Sequence, residues 1–132
     1  MTPYTITVHD ELPAVVTAIL AEFNMRDHYG EYDVALRNVL ESIAEPLYLI
    51  TDARNVNLGF ADLVQGLADA AAGNEAITRH RMIRQILVVT ANELINLGAK
   101  SLHQDQYGGQ TVIVVRTLED ALDHIRAETT VY

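Results

Sequence analysis

The chain has 132 residues, enough for one domain and too few for two. Almost half of it, 49%, is apolar, so a core can be built; without Cys it holds no disulfide, zinc–thiolate site or thiol nucleophile. A formal charge of -9, from 18 acidic against 9 basic residues, repels phosphate backbones and argues against nucleic acid as a partner.

Met1-Thr2-Pro3-Tyr4-Thr5 has neither the basic region nor the apolar stretch of a signal peptide. No apolar run approaches the roughly 20 residues that span a bilayer. The expectation is a cytoplasmic protein without membrane contact.

Thr5-Ile6-Thr7-Val8 alternates in the β manner, and the stretch from Ala14 to Leu20 is rich in β-branched residues. Between them His9-Asp10-Glu11-Leu12-Pro13 is polar and broken by proline, so the chain is expected to open with a hairpin. Arg26-Asp27-His28-Tyr29-Gly30 reads as a polar connection into a helix whose apolar face carries Tyr32, Leu36, Val39, Leu40 and Ile43. Pro46 is expected to end that helix and launch Leu47-Tyr48-Leu49-Ile50-Thr51-Asp52, a short apolar run of strand type.

A second helix places Phe60, Leu63, Val64, Leu67, Ala68 and Ala71 on one side, with Gly73-Asn74 as its stop. A short helical piece around Ala76 to Arg84 follows. It contains the basic run Arg79-His80-Arg81-Met82-Ile83-Arg84, read either as a solvated helix end or as a site for an anion or acidic partner. Gln85 to Thr90 is a nearly all-apolar strand, and Asn92 is placed to cap a third helix carrying Leu94, Ile95 and Leu102, with Gly98 as its weak point. Gly108-Gly109 breaks the chain before the last strand, Thr111 to Arg116. Thr117, with Asp120 three residues on, forms a capping-box pattern ahead of Leu118, Ala121, Leu122 and Ile125. From about Glu128 the chain reads as a frayed tail.

The order is β-β-α-β-α-β-α-β-α. The last three strands are continuous apolar runs separated by helices, as parallel strands covered on both faces should be, whereas the opening pair alternates. The expected fold is α/β, in a single domain over residues 1–132. It is a mixed five-stranded sheet with an N-terminal β-hairpin, then three βα units in right-handed crossovers, with helices on both faces.

Leu47 to Asp52, the helix start Phe60-Ala61-Asp62-Leu63, the strands Gln85 to Thr90 and Thr111 to Arg116, and the closing Leu118-Glu119-Asp120-Ala121-Leu122 follow one another in a familiar layout. It resembles the STAS domain, the fold of bacterial anti-sigma-factor antagonists, and its SpoIIAA-like relatives. The resemblance implies a non-enzymatic binding role in bacterial regulation. In those antagonists a Ser or Thr after the third strand is phosphorylated. Here the segment Asn55-Val56-Asn57-Leu58-Gly59-Phe60-Ala61-Asp62-Leu63 contains no hydroxyl, so that switch is not available.

Ligands of open α/β sheets sit beyond the carboxyl ends of parallel strands. Those ends are Asp52 to Asn57, Thr90-Ala91-Asn92 and Arg116-Thr117. The candidate ligand-binding residues are therefore Asp52, Arg54, Asn55, Asn57, Asn92 and Thr117. Plainer roles are open to most of them: Asn57, Asn92 and Thr117 as helix caps, Asp52 and Arg54 as a surface ion pair. Asp52, Thr90 and Arg116 also echo the Asp, Thr and Lys at the strand ends of a response-regulator receiver. That chemistry needs an acidic pair for Mg²⁺, and only Asp10-Glu11, inside the hairpin turn, is offered.

No metal or cofactor is expected, because the His residues at 9, 28, 80, 103 and 124 show no paired ligand spacing. His103 and His124 are expected to be solvated. Ser42 and Ser101 lack a nucleophile elbow, and Gly108-Gly109 precedes a strand where a phosphate loop would precede a helix. The resulting reading is a non-enzymatic module for a protein partner or small ligand, with no catalytic residue assigned. The alternative is a small enzyme or receiver-like phosphoacceptor centred on Asp52. Leu58 and Phe60, with Ala70-Ala71-Ala72 nearby, point to a second surface on their helix and so to a homodimer, unless the pair folds inward as a hydrophobic staple.

Overall fold

The computed structural model describes residues 3–55, 81–93, 95–97 and 112–129. The expected helix from Phe60, the Leu58–Phe60 pair, Asn57 and His103 lie outside them. The described strands form one sheet in chain order: β1 (Tyr4–Val8), β2 (Ala14–Ile19), β3 (Leu47–Asp52), β4 (Ile83–Val89) and β5 (Val112–Val115). β1 runs antiparallel to β2, while β2 to β5 are all parallel, which is the mixed sheet expected.

Two helices cover opposite faces. α1 (Met25–Glu41) packs Tyr32, Leu36 and Leu40 on one face of the sheet, against Val15, Leu49, Ile86 and Val88. α2 (Leu118–Thr129) packs Ala121, Leu122 and Ile125 on the other, against Ala14, Ile50, Leu87 and Val89. Successive residues of a strand point to opposite faces, so a strand sandwiched between helices must be apolar at every position. β3 and β4 satisfy this along nearly their whole length. β2 does too, although it was grouped with the alternating, half-exposed strands: its parallel pairing with β3 draws it under both layers. Among the described strands β1, at one edge, keeps an exposed face, with Val8 half exposed.

Several boundaries move. Arg26 to Gly30, read as a connection, belongs to α1. Asn24 caps it: its Oδ1 accepts from the Asp27 N–H at 3.2 Å, and its own N–H donates to His28 Nδ1 at 2.8 Å. This is a reciprocal box in which an imidazole replaces the usual Glu. α1 ends at Glu41, five residues before Pro46, so Pro46 is not its terminator and Ile43 lies past its end. There the Ser42 hydroxyl donates to the Val39 carbonyl at 2.7 Å, and the Ile43 N–H reaches only back to Leu40, tightening and closing the last turn. Ile83 and Arg84, read as the end of a helical piece, open β4 beside a register shift at Leu47/Tyr48. At the far ends, β2 stops at Ile19 and β5 at Val115, while α2 runs on to Thr129.

Candidate functional site

The parallel register brings the carboxyl ends of β3, β4 and β5 to one rim. Asp52 lies beside Val89 and Val89 beside Val115. The rim is extended by Ala53 N–H to the Val89 carbonyl and Thr90 N–H to the Val115 carbonyl, both at 2.9 Å. Asp10 and Glu11 sit in the hairpin loop at the opposite end, because Ala14 pairs with Tyr48, four residues upstream of Asp52. Four strand residues span about 13 Å. The acidic pair and Asp52 therefore do not meet, and the receiver arrangement is not formed.

At the β3 corner Asp52 is nearly buried and holds Arg54 in a two-pronged grip. Arg54 Nε donates to Oδ1 at 2.9 Å and Nη2 to Oδ2 at 2.7 Å, and the Arg54 backbone N–H adds a bond to Oδ1 at 3.2 Å. The guanidinium bonds hold the Asp52 carboxyl below the usual carboxylate range, against the opposing effect of burial. The same pairing raises Arg54. A carboxylate so engaged is a poor proton carrier and a poor phosphoacceptor. Asn55 is exposed in the following turn.

Asn92 and Thr117 act as caps. Asn92 Oδ1 accepts from the Ile95 N–H at 3.3 Å and heads the helical turn that begins at Glu93. Its own N–H donates to the Thr90 hydroxyl at 3.0 Å. Thr117 Oγ1 accepts from the Asp120 N–H at 3.0 Å and caps α2.

Between these two caps lies a cleft of about 210 Å³ lined by Thr90, Ala91, Glu93, Asn96, Val114, Val115 and Arg116. Parallel β4–β5 pairing builds it, since Thr90 and Arg116 each directly follow a paired strand residue. Val114 and Val115 of β5 also border it; Glu93 and Arg116 bring opposite charges. These two make no salt bridge within 4.0 Å, and the Asn96 carbonyl oxygen is buried with no partner. Glu93 and Asn96 were not among the candidates: one follows a cap and the other sits one turn on, and nothing in a helical pattern marks them as lining anything.

His124 is not solvated as expected. It is half-buried on α2, with Nε2 3.0 Å from Gln85 Oε1 of β4 and 3.1 Å from Glu128. It ties helix to sheet. Among the described residues no three His, Asp or Glu side chains gather as a metal site. Nor is any described helix long and apolar enough to cross a membrane.

Sheet order and two-faced packing define a SpoIIAA-like α/β fold. A solved structure shares it: an uncharacterized protein from the DUF3478 family with a SpoIIAA-like fold, from Shewanella loihica PV-4. The two superpose with a TM-score of 0.61 over 92% of this chain and 91% of that one, at 13% identity. The likeness is one of fold. No family model matches the chain, and no curated protein matches it.

Proposed function

We propose that the protein is a non-catalytic binding module, acting in the cytoplasm in bacterial regulation, whose working surface is the rim at the carboxyl ends of β3 to β5. The occupant is a small polar ligand seated in the cleft beside Arg116. One observation carries this reading. The cleft offers the Glu93 and Arg116 side chains and the Asn96 side-chain oxygen without partners among the described residues, whereas Asp52 and Arg54 satisfy one another. Ligand sites in open α/β sheets favour this position.

An enzyme centred on Asp52 has less support. Its carboxylate is pinned and its acidity strengthened, the reverse of what a general acid or base needs. The Thr90 hydroxyl accepts from the Asn92 N–H, and among the described residues no imidazole or carboxylate bonds to it as a base. A ligand-observed NMR screen of a bacterial small-metabolite mixture tests the binding reading, with the amide shifts of Thr90, Ala91 and Arg116 as the map. Binders that move those amides and spare β1 support it; a mixture that moves none of them sinks it.

We further propose, from the sequence alone, that the chain self-associates as a two-fold dimer through the segment carrying Leu58 and Phe60. Sedimentation at micromolar concentration showing one species near 14.6 kDa would end that idea.

A further inference from the structure

We infer that the rim cleft is shaped for a small zwitterion of the amino-acid type, its carboxylate facing Arg116 and its ammonium facing Glu93 and the Asn96 amide. This deepens the small-ligand reading and rests on it.

Three features of the lining point to this class. First, the cleft holds one cation and one anion that do not pair. Glu93 and Arg116 lie 23 positions apart in sequence, on different elements, and are brought to one cavity by the β4–β5 register. A guanidinium presents planar paired donors that match a carboxylate, and a carboxylate accepts from an ammonium. A ligand bearing both charges answers both walls. A simple anion leaves Glu93 repelling it, and a simple cation leaves Arg116 doing so.

Second, the Asn96 side-chain oxygen is buried and has no hydrogen-bond partner. A buried acceptor without a donor is unfavourable. Turning that oxygen toward an N–H in the cleft gives it the donor it lacks. The ammonium of a zwitterion supplies more donors than Glu93 alone uses.

Third, the size fits. A cleft of about 210 Å³ has the volume of roughly seven liquid waters at ~30 Å³ each. That is room for a free amino acid.

The experiment titrates the full chain with a panel of free amino acids and, for each binder, its N-acetyl and carboxamide derivatives, read by amide shifts at Thr90, Ala91 and Arg116. The expected result is that intact amino acids bind and that blocking either end weakens binding by about tenfold or more. Arg116→Ala should weaken the intact ligand and remove the penalty for blocking its carboxylate. Glu93→Gln should do the same for its ammonium. Because both residues are exposed, the variants are expected to fold, and unchanged thermal melting verifies it. N-acetyl derivatives that bind as tightly as the free amino acids overturn the zwitterion and leave an anion site, with the binding reading intact. Failure of every amino acid, while the metabolite screen still yields cleft binders, overturns the zwitterion alone. Failure of both overturns the binding reading with it.

Discussion

The rim has two corners, each with one acid and one arginine, left in opposite states. At the end of β3, Asp52 and Arg54 are two positions apart, and the turn between them folds the guanidinium back onto the carboxylate at 2.7 Å. At the ends of β4 and β5, Glu93 and Arg116 face one cleft without meeting. Local pairs satisfy themselves, because a short turn lets one side chain reach the other with little loss of entropy. Charges delivered by different elements are held where the backbone puts them, and remain available to something else.

Both corners depend on β4, so the largest effect should come from breaking it. Val88 is buried under α1, and Val88→Asp places an unpaired charge there at a cost of about 5 kcal/mol or more, most of a domain's stability. Loss of soluble, cooperatively melting protein is the expected outcome; a variant that melts like the wild type would remove β4 from the core.

A smaller effect tests a self-satisfied polar pair on the α1 face. Thr17 is fully buried; its hydroxyl donates to the Ile50 carbonyl at 3.3 Å and accepts from the Tyr32 hydroxyl at 3.1 Å. Tyr32→Phe should cost about 1–2 kcal/mol in chemical denaturation. Burial pushes the Tyr32 hydroxyl up to about 12, only partly offset by its bond to Thr17. The neutral form is thus favoured in the fold: its contribution is complete below the unfolded value of about 10 and is lost as pH rises from there through 12. Wild type and Tyr32→Phe should converge in stability across that alkaline window, and parallel curves would contradict the placement of the hydroxyl.

Asp52→Asn comes next. Its partner Arg54 is 42% exposed and screened by water, so the expected loss is about 1 kcal/mol at neutral pH. The carboxyl is lowered in the fold, so its contribution is present above the unfolded value of about 4 and disappears as pH falls through the folded one. Denaturation midpoints of the two proteins should therefore differ at pH 7 and merge in acid. The smallest effect belongs to Arg116→Ala, at most about 0.5 kcal/mol, since the side chain is exposed and holds no partner among the described residues. A destabilisation as large as that of Asp52→Asn would mean that Arg116 is engaged after all, and the contrast between the corners would fail.

The sheet was legible because its signal is local and repeated. Uninterrupted apolar runs such as Leu47-Tyr48-Leu49-Ile50 and Ile86-Leu87-Val88-Val89 fit only strands covered on both faces, and the caps at Asn92 and Thr117 declare themselves by residue type and spacing. The start of α1 was not legible, because its box is closed by His28, a residue that rarely signals a helix. Nor was the burial of β2, since Ala14-Val15-Val16-Thr17 reads the same whether one neighbour covers it or two; the parallel bond to β3 decides that.

What the sequence determined by itself was the class of fold and the absence of a hydroxyl between Asn55 and Leu63. Only the tertiary structure decided which rim residues are available. Hydrophobic pattern and capping are written in neighbours along the chain, but whether a charge is answered depends on distances across it. Pairing β4 with β5 places Arg116 in the same cleft as Glu93 and leaves them apart, while a two-residue turn brings Arg54 onto Asp52.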